Sequence, residues 1–115
     1  MIPILKGKTL AVVIPVYNES QALKLNFLAI QSQFEADGIS CAFQFVDDGS
    51  SDDTWQVLTE LCETYTAVHA IKFARNFGKE IALRAGVEAI DADYYLTMDS
   101  DLQHPPRYVK AMIET

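Results

Sequence analysis

Apolar and polar positions follow two rhythms along the chain. Leu10 to Val16 (LAVVIPV) is a short continuous apolar run rich in Val and Ile, the pattern of a strand buried on both faces. Ala42 to Val46 (AFQFV), Val68 to Phe73 and Tyr94 to Met98 (YYLTM) read as three further strands. Between the strands the apolar period lengthens to that of a helix. Ala22, Leu25, Leu28 and Ala29 fall at helical spacing, with Asn18 as cap, Glu19 in the first turn and Asp37-Gly38 as the stop. Trp55, Leu58 and Leu61/Cys62 make one apolar stripe behind a cap at Asp52 or Asp53, which places Trp55 in the core. Ile81, Ala82, Ala85, Val87 and Ala89 mark a third helix. His104-Pro105-Pro106 reads as a turn, and Arg107 to Thr115 begins another helix, with Tyr108 and Met112 four apart.

Strand and helix alternating with connections of a few residues predict a three-layer α/β/α fold, Rossmann-like, with a mostly parallel sheet. In such folds ligands sit at the carboxyl ends of the strands. Four polar clusters occupy those ends here: Tyr17-Asn18-Glu19, Asp47-Asp48-Gly49-Ser50, Arg75-Asn76-Phe77-Gly78 and Asp99-Ser100-Asp101. All four are expected to converge on one rim and form a site. The sequence ends less than one helix after the fourth strand, with no capping glycine. Residues 1–115 are therefore expected to be the N-terminal half of a longer catalytic domain.

Composition narrows the class. Half of the 115 residues are apolar, enough for one folded domain with a core of its own. Nine Lys and Arg against sixteen Asp and Glu give a net charge of −7, which argues against a nucleic-acid partner, since that needs a basic patch. No apolar run approaches the roughly 18–20 residues of a membrane span. Met1 to Thr9 lacks the apolar core and cleavage site of a secretory signal. Cys41 and Cys62 stand far apart without a CxxC, as expected of two reduced thiols in a cytosolic chain rather than a zinc site. The first strand is not followed by GxGxxG, Gly78-Lys79 lacks the rest of a P-loop, and no GxSxG occurs.

The clusters suggest phosphate chemistry. Asp99 and Asp101 offer hard carboxylate oxygens suited to Mg²⁺ or Mn²⁺, which an acidic protein needs in order to hold a diphosphate. Turn-and-cap chemistry accounts for Asp52 and Asp53. It does not call for Asp47 and Asp48 side by side at a buried strand end, where like charges repel and a base N–H or ribose hydroxyl would find an acceptor. Arg75, Lys79 and Arg84 lie around the third rim with the charge to meet phosphate, Arg84 fitting better as a solvated helix residue.

Together IPVYNE (14–19), VDDGSSDDT (46–54), RNFGKEIALRAG (75–86) and MDSDLQHPP (98–106) resemble the family-2 glycosyltransferases of GT-A fold. Within them the likeness is to polyprenyl-phosphate sugar transferases such as dolichol-phosphate mannose synthase and bactoprenol glucosyltransferases. The resemblance implies that Pro15, Tyr17 and Glu19 line a nucleotide pocket and that Asp48, more than Asp47, contacts the base. It implies that Asp99 and Asp101 hold the divalent metal and the sugar diphosphate, with Gln103 nearby as a further metal or phosphate contact. It further implies inverting transfer from a UDP- or GDP-sugar to a polyprenyl phosphate at the cytoplasmic membrane face. The acceptor side would then lie beyond Thr115, leaving a soluble fragment that binds donor and metal. Two other readings stay open: a haloacid-dehalogenase-like phosphatase with Asp99 as nucleophile, and a non-catalytic nucleotide-binding domain. Against the first, Gln103 stands where those enzymes prefer Thr or Val.

Overall fold

The computed structural model describes residues 8–100. The strand at Leu10–Val16, β1, forms where expected and becomes the centre of the fold. It pairs in parallel with β2 (Ala42–Asp47) from Ala11↔Ala42 to Val16↔Asp47. On its other side it pairs with β4 (Tyr94–Thr97), from Leu10↔Tyr94 to Val13↔Thr97. β3 (Val68–Lys72) adds to β2, giving the order β3-β2-β1-β4. Helices α1 (Leu23–Ala36), α2 (Thr54–Thr64) and α3 (Lys79–Ala89) make the crossovers. This is the expected three-layer parallel fold, and each strand ends within one residue of its sequence-based limit. The turn at His104 and the helix from Arg107 lie outside the described residues.

Alternation along β1 assigns the layers. Leu10, Val12, Ile14 and Val16 join Phe43 and Phe45 of β2 in one core with Leu23, Phe27, Ile30 and Phe34 of α1 and Leu58 and Leu61 of α2. Phe27 sits at its centre, edge-on to Phe43 at 5.2 Å and to Tyr65 at 5.2 Å between ring centroids. Each such side chain withdrawn from water stabilises the fold by about 1.5–3 kcal/mol. Trp55 packs partly buried against this core, as expected. The opposite face of the sheet carries α3, which crosses so closely that Gly86 lies against Val13 and Val46. Pro15 is tolerated inside β1 because its missing N–H would point toward β4. There the ladder has already ended, with the Met98 N–H bonded to the Val13 carbonyl at 3.1 Å.

Three local expectations fail. Asn18 caps nothing: α1 begins at Leu23, preceded by a turn in which the Glu19 carbonyl accepts the Ala22 and Leu23 N–H groups at 3.2 and 2.9 Å. The inward face of α1 is Leu23, Phe27, Ile30 and Phe34, and Leu25 of the expected stripe is 72% exposed. Both stripes have helical spacing, and the one carrying two phenylalanines buries more area and wins. α3 likewise turns Ala82 and Gly86 inward and leaves Ile81 exposed, because only a residue without a side chain fits beneath its crossing point.

Cys41 and Cys62 are unbonded thiols, and burial pushes Cys41 up to about 12, which keeps it protonated and unreactive. Among the described residues no helix is long and apolar enough to cross a membrane.

The crossing point of α3 makes a quantitative prediction. A Cβ on Gly86 would meet Val13 Cγ1 at 2.4 Å and Val46 Cγ2 at 3.0 Å. Gly86→Val should therefore lower stability by about 1–3 kcal/mol through overpacking. Urea unfolding should show the midpoint falling with the slope unchanged, and an unchanged midpoint would refute the close crossing.

Candidate functional site

Three loops meet above the carboxyl ends of β1, β2 and β3. Asp48, first residue after β2, is 5% exposed and uses both carboxylate oxygens on the β3–α3 loop. Its Oδ1 accepts the Phe77 N–H at 2.7 Å, and its Oδ2 accepts the Gly78 N–H at 3.0 Å and Asn76 Nδ2 at 3.2 Å. Gly49 makes this approach possible: at φ 75° it lies so close to the Arg75–Asn76 backbone that a Cβ would meet Arg75 at 2.2 Å. The loop is thus drawn from the β3 edge back across the rim. Arg75 stacks on Phe77 at 5.1 Å, and Phe77 meets Phe73 edge-on at 5.5 Å. Asp47 is fully buried, with Oδ1 accepting the Ser50 N–H at 2.9 Å and Oδ2 without a hydrogen-bond partner among the described residues.

A second network joins the β1 and β2 loops. Asn18 adopts φ 50°, a left-handed conformation that Asn tolerates. Its N–H donates to Ser50 Oγ at 2.8 Å, and its Oδ1 accepts the Ser51 N–H at 2.8 Å. The Glu19 N–H donates to Thr54 Oγ1 at 2.9 Å, and that hydroxyl donates in turn to Asp52. Asp52 also accepts the Thr54 N–H at 2.9 Å and Ser20 Oγ at 2.9 Å. Of the two expected caps, Asp52 therefore serves the start of α2, while Asp53 makes no side-chain cap bond. The Thr54 hydroxyl, foremost, together with the Thr54 N–H and the Ser20 hydroxyl and N–H, lowers Asp52 to about 2.

The fourth loop joins through two contacts. Ser100, buried, donates its hydroxyl to Glu19 Oε1, while Glu19 Oε2 accepts the Tyr17 N–H at 3.1 Å. Lys79, the first residue of α3, reaches Asp99 with Nζ–Oδ1 at 2.6 Å. Lys79, Leu83, Thr97, Met98 and Asp99 line an open cleft of about 190 Å³. The convergence expected from the sequence is thus present as far as Ser100, and Asp101 and Gln103 lie outside the described residues. The site sits at a topological switch point: the chain leaves β1 toward α1 on one face, while β4 lies beside β1 on the side opposite β2.

The expected site residues take different stations here. Tyr17 stands exposed at the rim, Pro15 is half-buried beneath it, and Glu19 is engaged between Tyr17 and Ser100. Asp47 is sealed below the surface, Asp48 is committed to the loop, and Lys79 and Asp99 face the cleft. The contributions of Asn18, Thr54, Asn76 and Ser100 had no separate signal in the sequence, since each acts on a partner 28 to 81 residues away. Among the described residues no three His, Cys, Asp or Glu side chains stand together as a metal site. Asp99 nevertheless fits a hard cation in kind, being a partly exposed carboxylate in an open cleft that already holds a positive charge.

Comparison with known proteins places this geometry. Residues 11–115 match the family model described as glycosyl transferase family 2. The undecaprenyl-phosphate 4-deoxy-4-formamido-L-arabinose transferase of Klebsiella pneumoniae is 36% identical over 93% of this chain and 33% of its own length. The bactoprenol glucosyl transferase of Shigella phage SfX is 32% identical over 91% of this chain and 34% of its own. The chain thus spans about a third of the length of these relatives. Among solved structures, the mannosyltransferase PcManGT of Pyrobaculum calidifontis, in complex with GDP-Man and Mn²⁺, superposes with a TM-score of 0.77 at 21% identity. That likeness covers 93% of this chain and 32% of that one, and shows the shared GT-A fold.

Two carboxylates yield predictions. Asp48→Asn puts an N–H donor where N–H groups must be accepted, so stability should fall by about 2–3 kcal/mol. Hydrogen exchange at the Phe77 and Gly78 amides should quicken, and unchanged protection would show that Asp48 does not hold the loop. Asp52 titrates lower in the folded chain than its ordinary 3.8. Its stabilisation is therefore complete above pH 3.8 and lost as pH falls through about 2. The stability gap between wild type and Asp52→Ala should narrow from pH 5 to pH 2; parallel profiles would contradict the assignment.

Proposed function

The chain belongs to glycosyl transferase family 2, and on that footing we propose that it forms the donor-binding part of a polyprenyl-phosphate sugar transferase. The donor is a nucleotide diphosphate sugar of UDP-glucose or GDP-mannose type, and the acceptor is a polyprenyl phosphate on the cytoplasmic membrane face. The observation that carries this reading is the meeting of Lys79 and Asp99 in an open cleft at the switch point, beside the joined β1 and β2 loops. The relatives named above act, by their names, on undecaprenyl phosphate and bactoprenol.

The residues divide the donor between them. Tyr17, above Pro15 and held by Glu19, offers an exposed ring at the nucleotide end. Asp48 is better placed than Asp47 for the base, because Asp47 is fully buried whereas Asp48 reaches the surface at 5% exposure and keeps one of a carboxylate's about four acceptor sites open. Asp47 contributes by holding the Ser50 turn beneath it. Lys79 and Asp99 take the diphosphate end. Asp99, with Asp101 and Gln103 from beyond the described residues, would hold Mg²⁺ or Mn²⁺, which would supply charge neutralisation to the diphosphate and to the leaving nucleotide.

Chemically, an acceptor phosphate oxygen bonds to the anomeric carbon as that carbon's bond to the diphosphate breaks on the opposite face. Configuration inverts, and a nucleoside diphosphate departs. The acceptor is already an anion, so the step needs little general-base help. Acceptor recognition belongs to the two-thirds of the relatives' length that this chain does not span.

The test is thermal stability with UDP, GDP, UDP-glucose and GDP-mannose, each with and without Mn²⁺. Ligand at about 100 times its dissociation constant should stabilise the chain by roughly 2.7 kcal/mol. A metal-dependent shift with one base, lost in Asp99→Asn, is expected. No shift with any nucleotide, in this chain and in a polypeptide of the relatives' full length, would refute the reading.

A further inference from the structure

The geometry points to Lys79 as a built-in counter-ion that occupies Asp99 until a divalent cation arrives and then moves to the diphosphate. This rests on the donor-site reading above and adds an order of events to it. The Lys79 ammonium sits 2.6 Å from Asp99 Oδ1, on the carboxylate that a metal would also use. The two side chains differ in freedom. Asp99 is 22% exposed on a short stem at the end of β4, whereas Lys79 is 59% exposed on a flexible four-carbon stem.

A divalent cation is therefore expected to displace the ammonium, not to share the carboxylate with it. The displaced Lys79 cannot travel far, because its backbone is tied down. Gly78 before it donates its N–H to the buried Asp48 at 3.0 Å, and α3 continues behind it with the Ala82 N–H bonded to the Gly78 carbonyl at 3.0 Å. The ammonium would thus stay close to a cation held by Asp99, within reach of a diphosphate bound there. For a chain of net charge −7, a second positive group at that point offsets repulsion that one divalent cation leaves uncompensated. Lys79 consequently opposes metal binding when nucleotide is absent and supports nucleotide binding when metal is present.

The two effects have opposite signs, and that separates them from a merely structural role. Mn²⁺ alone is titrated by electron paramagnetic resonance into wild type, Lys79→Met and Lys79→Arg. UDP and GDP are then titrated by calorimetry at saturating Mn²⁺. Lys79→Met should bind Mn²⁺ alone roughly tenfold tighter and the nucleotide roughly tenfold weaker, the scale of one charge-assisted hydrogen bond. Lys79→Arg should stay near wild type in both, which also controls for folding. Equal Mn²⁺ affinity in all three proteins would overturn the exchange while leaving the donor-site reading intact. Weakening of both ligands in Lys79→Met would likewise overturn it, as would unchanged nucleotide affinity. Absence of Mn²⁺ binding in every protein would overturn the metal site and the exchange with it.

Discussion

A buried carboxylate organises the rim of this fold. Asp48 gathers two backbone N–H groups and the Asn76 amide from a loop 28 to 30 residues further along the chain. Charge-assisted bonds of this kind are about twice as strong as neutral ones, and with 5% exposure water competes little for them. Without that clamp the β3–α3 loop would hang from the sheet edge. With it, the loop crosses the rim and delivers Lys79, at the start of α3, to Asp99 on the opposite side of β1. Gly49 belongs to the same device, since any side chain there would collide with the Arg75–Asn76 backbone.

The remaining polar network gives the site its shape without adding open charge. Asn18, Ser50, Ser51, Thr54 and Asp52 join the β1 and β2 loops, and Glu19 connects that unit to Ser100. Most carboxylates at the rim are thereby committed to N–H or hydroxyl donors. Among the described residues, Asp99 is the rim carboxylate matched by a flexible cationic side chain in an open cleft. In a chain of net charge −7, this pairing is the feature on which the proposed diphosphate end of the donor site rests.

The strands, their order in the chain and the four rim clusters were legible because each rests on a local signal: a short run rich in apolar residues followed within a few residues by a polar cluster. Helix phase was less legible. In α1 two stripes have helical spacing, and only tertiary packing against Phe43 and Phe45 selects the one with Phe27 and Phe34. In α3 the deciding contact is made by Gly86, a residue that periodicity does not count. Asn18 reads as a cap because Asn commonly is one, yet its side chain bonds to Ser51, far along the chain. The adjacent Asp47 and Asp48 read as acceptors for a ligand, and in the structure both accept backbone N–H groups of the rim itself. Their division of labour, one sealed under Ser50 and one clamping the next loop, depends on contacts that spacing cannot show.

The central claim is that a nucleotide and its cation sit at the switch point between β1 and β4. Paramagnetic broadening of backbone amide signals by Mn²⁺, in the presence of UDP or GDP, tests it most directly. The account predicts broadening centred on Asp99 and Ser100, extending to Lys79 and Glu19, with Cys41 and Ala67 at the far end of the sheet unaffected. Broadening centred elsewhere, or spread evenly over the acidic surface, would contradict it.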